Sequence, residues 1–197
     1  MNPCPNTFPV VCVGGSAGGH DAYVTLVKHL PVDSGVAIVI VHHLARAITM
    51  LPQILPRSTK MPVDLITEGL PIQPNHVFII PSNCDLHVLD GNFHLKPITK
   101  SHGWPNVISV FLRSLAQGWD GKVVAVIVSG MDGDGADALS SIKKVGGITI
   151  AQSPDTAEWA DMPETAINTG YIDFVLSVED IAQKIAQIGR EFPGNAI

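Results

Sequence analysis

Several features that mark particular protein classes are scarce in this sequence. Aromatic residues make up only 6% of the 197 residues, and cysteine occurs three times, at Cys4, Cys12 and Cys84. An odd number of widely spaced cysteines excludes a disulfide framework and a cysteine metal motif. The formal net charge is −6, so nucleic acid is not expected as the main partner.

Membrane and secretion signals are also missing. No apolar run approaches the roughly 20 residues that span a bilayer. The first residues have neither the basic region nor the apolar core of a secretory signal. We therefore expect no membrane insertion and a reduced, cytoplasmic compartment.

Valine, isoleucine, alanine and glycine are abundant, which is typical of a buried parallel sheet covered by helices. The length predicts one domain over residues 1–197, with its core at about 9–189. We predict strands at 10–13, 36–41, 62–66, 76–80, 122–128, 147–151 and 174–176, and helices at 21–30, 50–55, 107–117, 139–145, 164–168 and 178–188. This alternation predicts an α/β fold with a doubly wound, mainly parallel sheet flanked by helices.

One part of the chain has a different pattern. Residues 85–89 and 93–96 alternate between apolar and polar side chains around Asp90-Gly91-Asn92. This pattern predicts an antiparallel β-hairpin, which we expect at one edge of the sheet or as a flap. Residues 101–105 are expected to form a loop.

The first strand runs into a glycine-rich turn at residues 14–19, and Ser16 lies within it. Small neighbours let the chain bend sharply and let another molecule approach the hydroxyl. The turn fits the G-x-S-x-G pattern of a nucleophile elbow, beside a helix N-terminus that can stabilise an oxyanion. A dinucleotide fingerprint fails because Ser16 replaces its second glycine, and a P-loop fails because His20 stands where lysine is required. A glycine-rich connector with an incidental serine remains the alternative.

Two further predicted strands end in reactive side chains. His42 and His43 follow the strand at 36–41, and Asp132 and Asp134 follow the strand at 122–128. Ligands of such sheets bind outside the carboxyl ends of the strands, so serine, histidine and aspartate are expected to converge as in a Ser-His-Asp hydrolase. Alternatively, one histidine packs against the sheet, and the aspartates, with Asp137, cap the following helix.

In order and spacing, four motifs resemble the catalytic domain of the chemotaxis protein-glutamate methylesterases, over about residues 9–188. The motifs are Gly14-Gly15-Ser16-Ala17-Gly18-Gly19, Val41-His42-His43-Leu44, Ser129-Gly130-Met131-Asp132-Gly133-Asp134-Gly135 and Met162-Pro163-Glu164-Thr165-Ala166-Ile167. The resemblance implies a hydrolase that removes methyl groups from γ-glutamyl methyl esters and releases methanol. Its implied partners are the cytoplasmic helices of methylated chemoreceptors, whose glutamines such enzymes often also deamidate.

The resemblance also implies the roles of individual residues. Ser16 is the implied nucleophile, His43 the base, and Asp134 the acid that orients the base. The main-chain N–H of Met131, together with that of Ala17, is the implied oxyanion donor. No metal and no organic cofactor is implied.

The sequence departs from the family pattern in three places. Ala17 stands where the family often has threonine, and Trp104-Pro105 stands where it has Arg-Pro, which puts substrate contacts there in doubt. Regulated members carry a receiver domain ahead of the catalytic domain, and we expect this chain to lack it. Two other functions stay open: a non-catalytic signalling or binding module on the same fold, and an esterase or amidase with a substrate unrelated to chemotaxis.

Overall fold

The computed structural model describes residues 8–42, 50–101 and 104–192. Strands β1 to β11 span Val10–Gly15, Ala37–His42, Val63–Leu65, His76–Ile79, Cys84–Leu89, Asn92–Pro97, Lys100–Ser101, Trp104–Pro105, Val123–Ile127, Ile148–Gln152 and Phe174–Leu176. Helices α1 to α6 span Gly19–His29, Leu51–Ile54, Val107–Gly118, Leu139–Lys144, Asp161–Asn168 and Val178–Glu191. Short 3₁₀ helices span Leu55–Arg57, Ala136–Ala138 and Pro154–Thr156.

Seven strands form one sheet in the order β11–β10–β9–β1–β2–β4–β3, and every pairing in it is parallel. The predicted fold class is confirmed. From β1 the chain adds strands on one side as far as β3, then crosses back and adds β9 to β11 on the other side. The strand order therefore reverses between β1 and β9, and such a switch point leaves a crevice at the carboxyl ends of the strands.

Alternation along the central strands sorts their side chains onto two covered faces. Val11 and Val13 of β1 pack with α1, α2 and α6, and we call this side the α1 face. Val10 and Cys12 pack with α3, α4, α5 and the hairpin, and we call this side the α3 face. Both faces are buried, which explains why the central strands read as unbroken apolar runs.

The predicted hairpin is formed by β5 and β6, and its two turn residues, Asp90 and Gly91, have positive φ angles of 51° and 76°. It is a separate two-stranded sheet with its own hydrogen bonds. Phe93 packs against Phe78 of β4 with ring centroids 5.0 Å apart, and against Phe111 of α3 at 6.4 Å. The hairpin therefore covers part of the α3 face.

Two local predictions differ from the structure. The expected loop at 101–105 contributes to a small antiparallel pair, since β7 and β8 are joined there. Helix α5 begins at Asp161, ahead of the predicted start at 164. The reason is Pro163, which lies in the first turn of α5, where a helix does not need its N–H. Among the described residues, no helix is both long and apolar enough to cross a membrane.

Asp173 ties the segment before β11 to two neighbouring elements. Its carboxylate accepts hydrogen bonds from Lys143 Nζ at 2.6 and 2.7 Å and from the Thr149 N–H at 2.9 Å. Burial raises the pKa of Asp173, but the bonds from Lys143 and Thr149 outweigh burial and leave the pKa below its ordinary value. The ionised carboxylate thus stabilises this edge of the sheet.

We expect Asp173→Asn to lower the free energy of unfolding at pH 7 by about 1–3 kcal/mol. Because the folded-state pKa is lowered, this contribution is present above the unfolded-state pKa of about 3.9 and is lost as the pH falls through the folded-state pKa. Urea unfolding between pH 7 and pH 2 should show the difference from wild type narrowing below about pH 4. Asp120→Asn, at an exposed position, is the control, and a difference independent of pH would contradict the prediction.

Candidate active site

Ser16 is the first residue after β1 and is half-buried in the turn that leads into α1. The Gly19 N–H donates to the Ser16 carbonyl at 3.1 Å, and Gly18 takes the left-handed conformation with φ of 71°. Within the described residues, Ser16 is not among the non-glycine residues with positive φ. The turn therefore differs from the strained elbow of α/β-hydrolases, because its left-handed position is a glycine.

The loop after β9 is fastened to this turn. The Ser16 N–H donates to the Ser129 carbonyl at 2.9 Å, and Ser129 Oγ donates to the Ala17 carbonyl at 2.8 Å. Gly130 comes so close that a Cβ added to it would lie 3.1 Å from Ser16 Cβ. The serine of β1 and the loop of β9 thus meet at the switch point of the sheet.

A third segment, just before α5, closes against the same loop. The Trp159 N–H donates to Ser129 Oγ at 2.9 Å, and the Trp159 carbonyl accepts from the Gly130 N–H at 3.1 Å. The side chain of Trp159 is 40% exposed and that of Met131 is 58% exposed. The apolar side chains of Trp159 and Met131 are therefore exposed to solvent, on segments that are hydrogen-bonded beside the Ser16 turn. Sequence reasoning missed the roles of Ser129 and Trp159.

Two backbone donors are available on the facing loops. In the part of the chain that the structure describes, the N–H groups of Ala17 and Met131 donate no hydrogen bond. Backbone N–H groups that are held in place and left unused by the fold can stabilise a developing negative charge. Both N–H groups are thus available to a ligand.

Asp134 is the buried carboxylate of the β9 loop, with 6% of its surface exposed. Its Oδ2 accepts from the Ile108 N–H at 2.8 Å and its Oδ1 from the Ser109 N–H at 2.9 Å, so it is held on the α3 face. Asp132 Oδ1 accepts from the Asp134 N–H at 2.9 Å, and Asp137 binds side chains of α3. The bonds of Asp134 and Asp137 to α3 favour a role between this helix and the β9 loop over the alternative that they cap the following helix.

The two adjacent histidines are described to different extents. His42 ends β2, is buried, and packs edge-on against the ring of Tyr23 at a centroid distance of 6.1 Å. Its Cα is in register with Gly15, one residue before Ser16. His43, the predicted base, lies outside the described residues.

The cysteines near the site are poor rivals to Ser16 as nucleophile. Burial raises the pKa of Cys12, and the nearby Asp134 carboxylate raises it further. Burial, with a smaller contribution from Asp85, raises the pKa of Cys84 to about 11. Both thiols are therefore protonated at neutral pH, and the protonated form is a weak nucleophile.

An open cleft of about 660 Å³ lies near the turn, but Ser16 is not among its lining residues. Gly18 and Ser129 border it, and its acidic lining residues are Asp21, Asp155, Glu158 and Glu179. Among the described residues, no three His, Cys, Asp or Glu side chains are grouped so that they could share a metal ion.

The family model described as CheB methylesterase matches residues 11–185. The chain belongs to the CheB methylesterase family. The resemblance expected from the four sequence motifs is confirmed, and the expected enzyme class agrees with the names of the family's curated members.

Relatives of this CheB methylesterase domain include proteins of similar and of greater length. A putative protein-glutamate methylesterase/protein-glutamine glutaminase of Leptospira interrogans is 33% identical over 93% of this chain and 96% of its own length. A protein-glutamate methylesterase/protein-glutamine glutaminase of Burkholderia lata is 35% identical over 92% of this chain, which spans only 54% of that protein. The crystal structure of the Thermotoga maritima CheB methylesterase catalytic domain has a TM-score of 0.84 and 27% identity, covering 91% of this chain and 98% of that one.

Two glycines of the β9 loop give a matched test of this CheB site. A Cβ on Gly130 would overlap Met162 Sδ and press on Ser16 Cβ, whereas a Cβ on Gly133 would meet only Thr165 Cγ2, at 3.2 Å. We expect Gly130→Ala to cost about 1–3 kcal/mol of stability and to reduce any activity of the site at least tenfold. Gly133→Ala should have nearly the stability and the activity of the wild type.

Thermal unfolding and ester hydrolysis measured on both variants check this prediction. Equal effects of the two substitutions would contradict the close approach of Gly130 to Ser16.

Proposed function

We propose that this domain hydrolyses γ-glutamyl methyl esters of chemoreceptors to glutamate and methanol, in the cytoplasm. Ser16 is the nucleophile, His43 the general base and Asp134 the acid that orients His43. The observation that carries the proposal is the hydrogen-bonded meeting of the Ser16 turn with the β9 loop at the switch point. The relatives named for this activity support the choice of substrate.

The alternation of side chains along β2 supports His43 over His42 as the base. Consecutive side chains of a strand point to opposite faces. Val41 belongs to the α3 face, and His42 packs against Tyr23 on the α1 face. His42 therefore points away from the α3 face, where Asp134 is held by the first turn of α3, and this leaves His43 as the proposed base.

The first half of the proposed reaction forms an acyl-enzyme. His43 takes the proton of Ser16 Oγ while this oxygen bonds to the ester carbonyl carbon and the carbonyl electrons move to its oxygen. The N–H groups of Met131 and Ala17 hold the resulting oxyanion; losing one such donor typically lowers turnover about 100-fold to 1000-fold. The tetrahedral adduct then expels the methoxy group, which takes the proton from His43 and leaves as methanol.

The second half regenerates the enzyme. His43 removes a proton from water, and the hydroxide oxygen bonds to the acyl carbon. The bond to Ser16 Oγ breaks, and Ser16 recovers its proton from His43. The products are a glutamate side chain and the original enzyme, so the balance requires no further reactant.

The exposed apolar side chains beside Ser16 support a protein substrate. Met131 and Trp159 are more than a third exposed although their backbones are fixed next to the turn. An amphipathic receptor helix offers an apolar stripe that such side chains can contact. Deamidation of receptor glutamines is a second candidate, favoured by the relatives' double name, and it needs only ammonia in place of methanol as the leaving group.

We expect Ser16→Ala to fold like wild type and to lose methanol release from a methylated receptor fragment by a factor of about 10³ or more. Released methanol is measured directly, and circular dichroism checks the fold. A fluorophosphonate probe should label Ser16 in the wild type, and Ser129, which is buried and hydrogen-bonded, should stay unlabelled.

The outcomes separate the alternatives. Labelling of Ser16 without methanol release would indicate an esterase or amidase with another substrate. A wild type that neither reacts with the probe nor releases methanol would indicate a non-catalytic module.

His42 and His43 form a second matched pair. We expect His43→Ala to lose activity as severely as Ser16→Ala, because the members of a triad act as a unit. His42→Ala should retain turnover within about tenfold and should lose about 1–3 kcal/mol of stability, because it removes a buried ring that packs on Tyr23. Turnover and urea unfolding are measured on both variants. If His42→Ala lost more activity than His43→Ala, the assignment of His43 as the base would be refuted.

A further inference from the structure

Ser109 lies in the first turn of α3 and is buried. Its N–H donates to Asp134 Oδ1 at 2.9 Å, and its Oγ accepts from the Gly135 N–H at 2.8 Å. The same Oγ donates its proton to Asp137 Oδ1 at 2.7 Å. One small side chain and its amide thus bind three residues of the segment that carries the proposed catalytic acid.

Asp134 is fixed to α3 through this turn. Its two carboxylate oxygens accept from two consecutive amides, those of Ile108 and Ser109. The residue that precedes the helix, Asn106, makes no side-chain cap. The distant Asp134 therefore fills the place of a helix cap, and its position depends on where the first turn of α3 lies.

The direction of the Ser109 hydroxyl is also fixed. Asp137 Oδ2 accepts from Arg113 Nη2 at 2.7 Å. Burial raises the pKa of Asp137, but hydrogen bonds from Ser109 and Arg113 outweigh burial and leave it below its ordinary value. An ionised carboxylate can only accept, so the Ser109 proton points to Asp137 and an oxygen lone pair faces the Gly135 N–H.

We infer that Ser109 is a positioning residue for the proposed hydrolysis: through its amide and its hydroxyl it fixes the place of Asp134, the proposed acid. The inference rests on the proposed function. Because Ser109 acts through Asp134, removing its hydroxyl should affect turnover more than substrate binding. A displacement of about 1 Å in a catalytic group can cost about 100-fold in rate.

The central experiment is Ser109→Ala, with methanol release measured on a methylated receptor fragment. We expect kcat to fall about 10-fold to 100-fold while KM changes less than about threefold. Ser114→Ala is the matched control, because it removes a hydroxyl from the same helix that accepts from the Val88 N–H at 2.9 Å, in the hairpin. It should lose comparable stability and keep its turnover.

A double-mutant cycle with Asp134→Asn tests whether Ser109 acts through this acid. In the Asp134→Asn background, Ser109→Ala should reduce kcat by less than about threefold, because the group that it positions is already impaired. An equal loss in both backgrounds would overturn the inference. So would an unchanged kcat of Ser109→Ala alone, or an equal loss in Ser114→Ala.

Two variants of Asp137 provide a second test in case Ser109→Ala does not fold. The Asp137 side chain is 65% exposed, so both of its variants should fold. Asp137→Asn keeps an oxygen that accepts from Ser109 and should retain kcat, whereas Asp137→Ala removes the acceptor and should lower kcat several-fold. Identical turnover in the two variants would overturn the inference. A wild type without Ser16-dependent methanol release would overturn the proposed function, and this inference would fall with it.

Discussion

The hydrogen bond from the Ser16 N–H to the Ser129 carbonyl is the contact on which the rest of the site depends. It is 2.9 Å long and follows the bond from the Val128 N–H to the Gly14 carbonyl, which is also 2.9 Å long. The two bonds continue the main-chain pairing of β1 and β9 beyond the ends of these strands. The strands that flank a switch point usually separate there and leave a crevice. Here the crevice is closed at its base, so the serine turn and the aspartate loop keep a fixed separation.

The second constraint is the close approach of α3 to β1. A Cβ on Gly14 would lie 2.6 Å from Ile108 Cγ2, so the helix reaches this distance only because residue 14 lacks a side chain. The N-terminal turn of α3 thereby comes over the end of β1, and its amides bind Asp134. Helix α3 therefore links Gly14 of the serine turn to Asp134 of the β9 loop.

The sequence predicted the fold well because the central strands are buried on both faces and read as runs of β-branched residues. The rule that ligands bind at the carboxyl ends of parallel strands also predicted that the Ser16 turn and the β9 loop would lie together, and they are joined there through Ser129. The bonds of Ser129 with Trp159 and of Ser109 with Asp137 were not predicted, because they join polar loop residues far apart in the chain and follow no periodicity.

The binding of Asp134 to α3 makes stability and the proposed chemistry interdependent. The positive end of the α3 dipole is complementary to a carboxylate, and the helix has no side-chain cap of its own at Asn106. Loss of the carboxylate therefore leaves two amides of a buried helix end without their acceptor, a defect that destabilises the fold independently of any effect on the base. An acid that only touched the imidazole would lack this second effect. Asp134→Asn keeps one side-chain oxygen, which can accept from one of the two amides, and it turns a donor toward the other. It follows that this substitution removes the charge together with part of the cap, so stability and turnover should fall together.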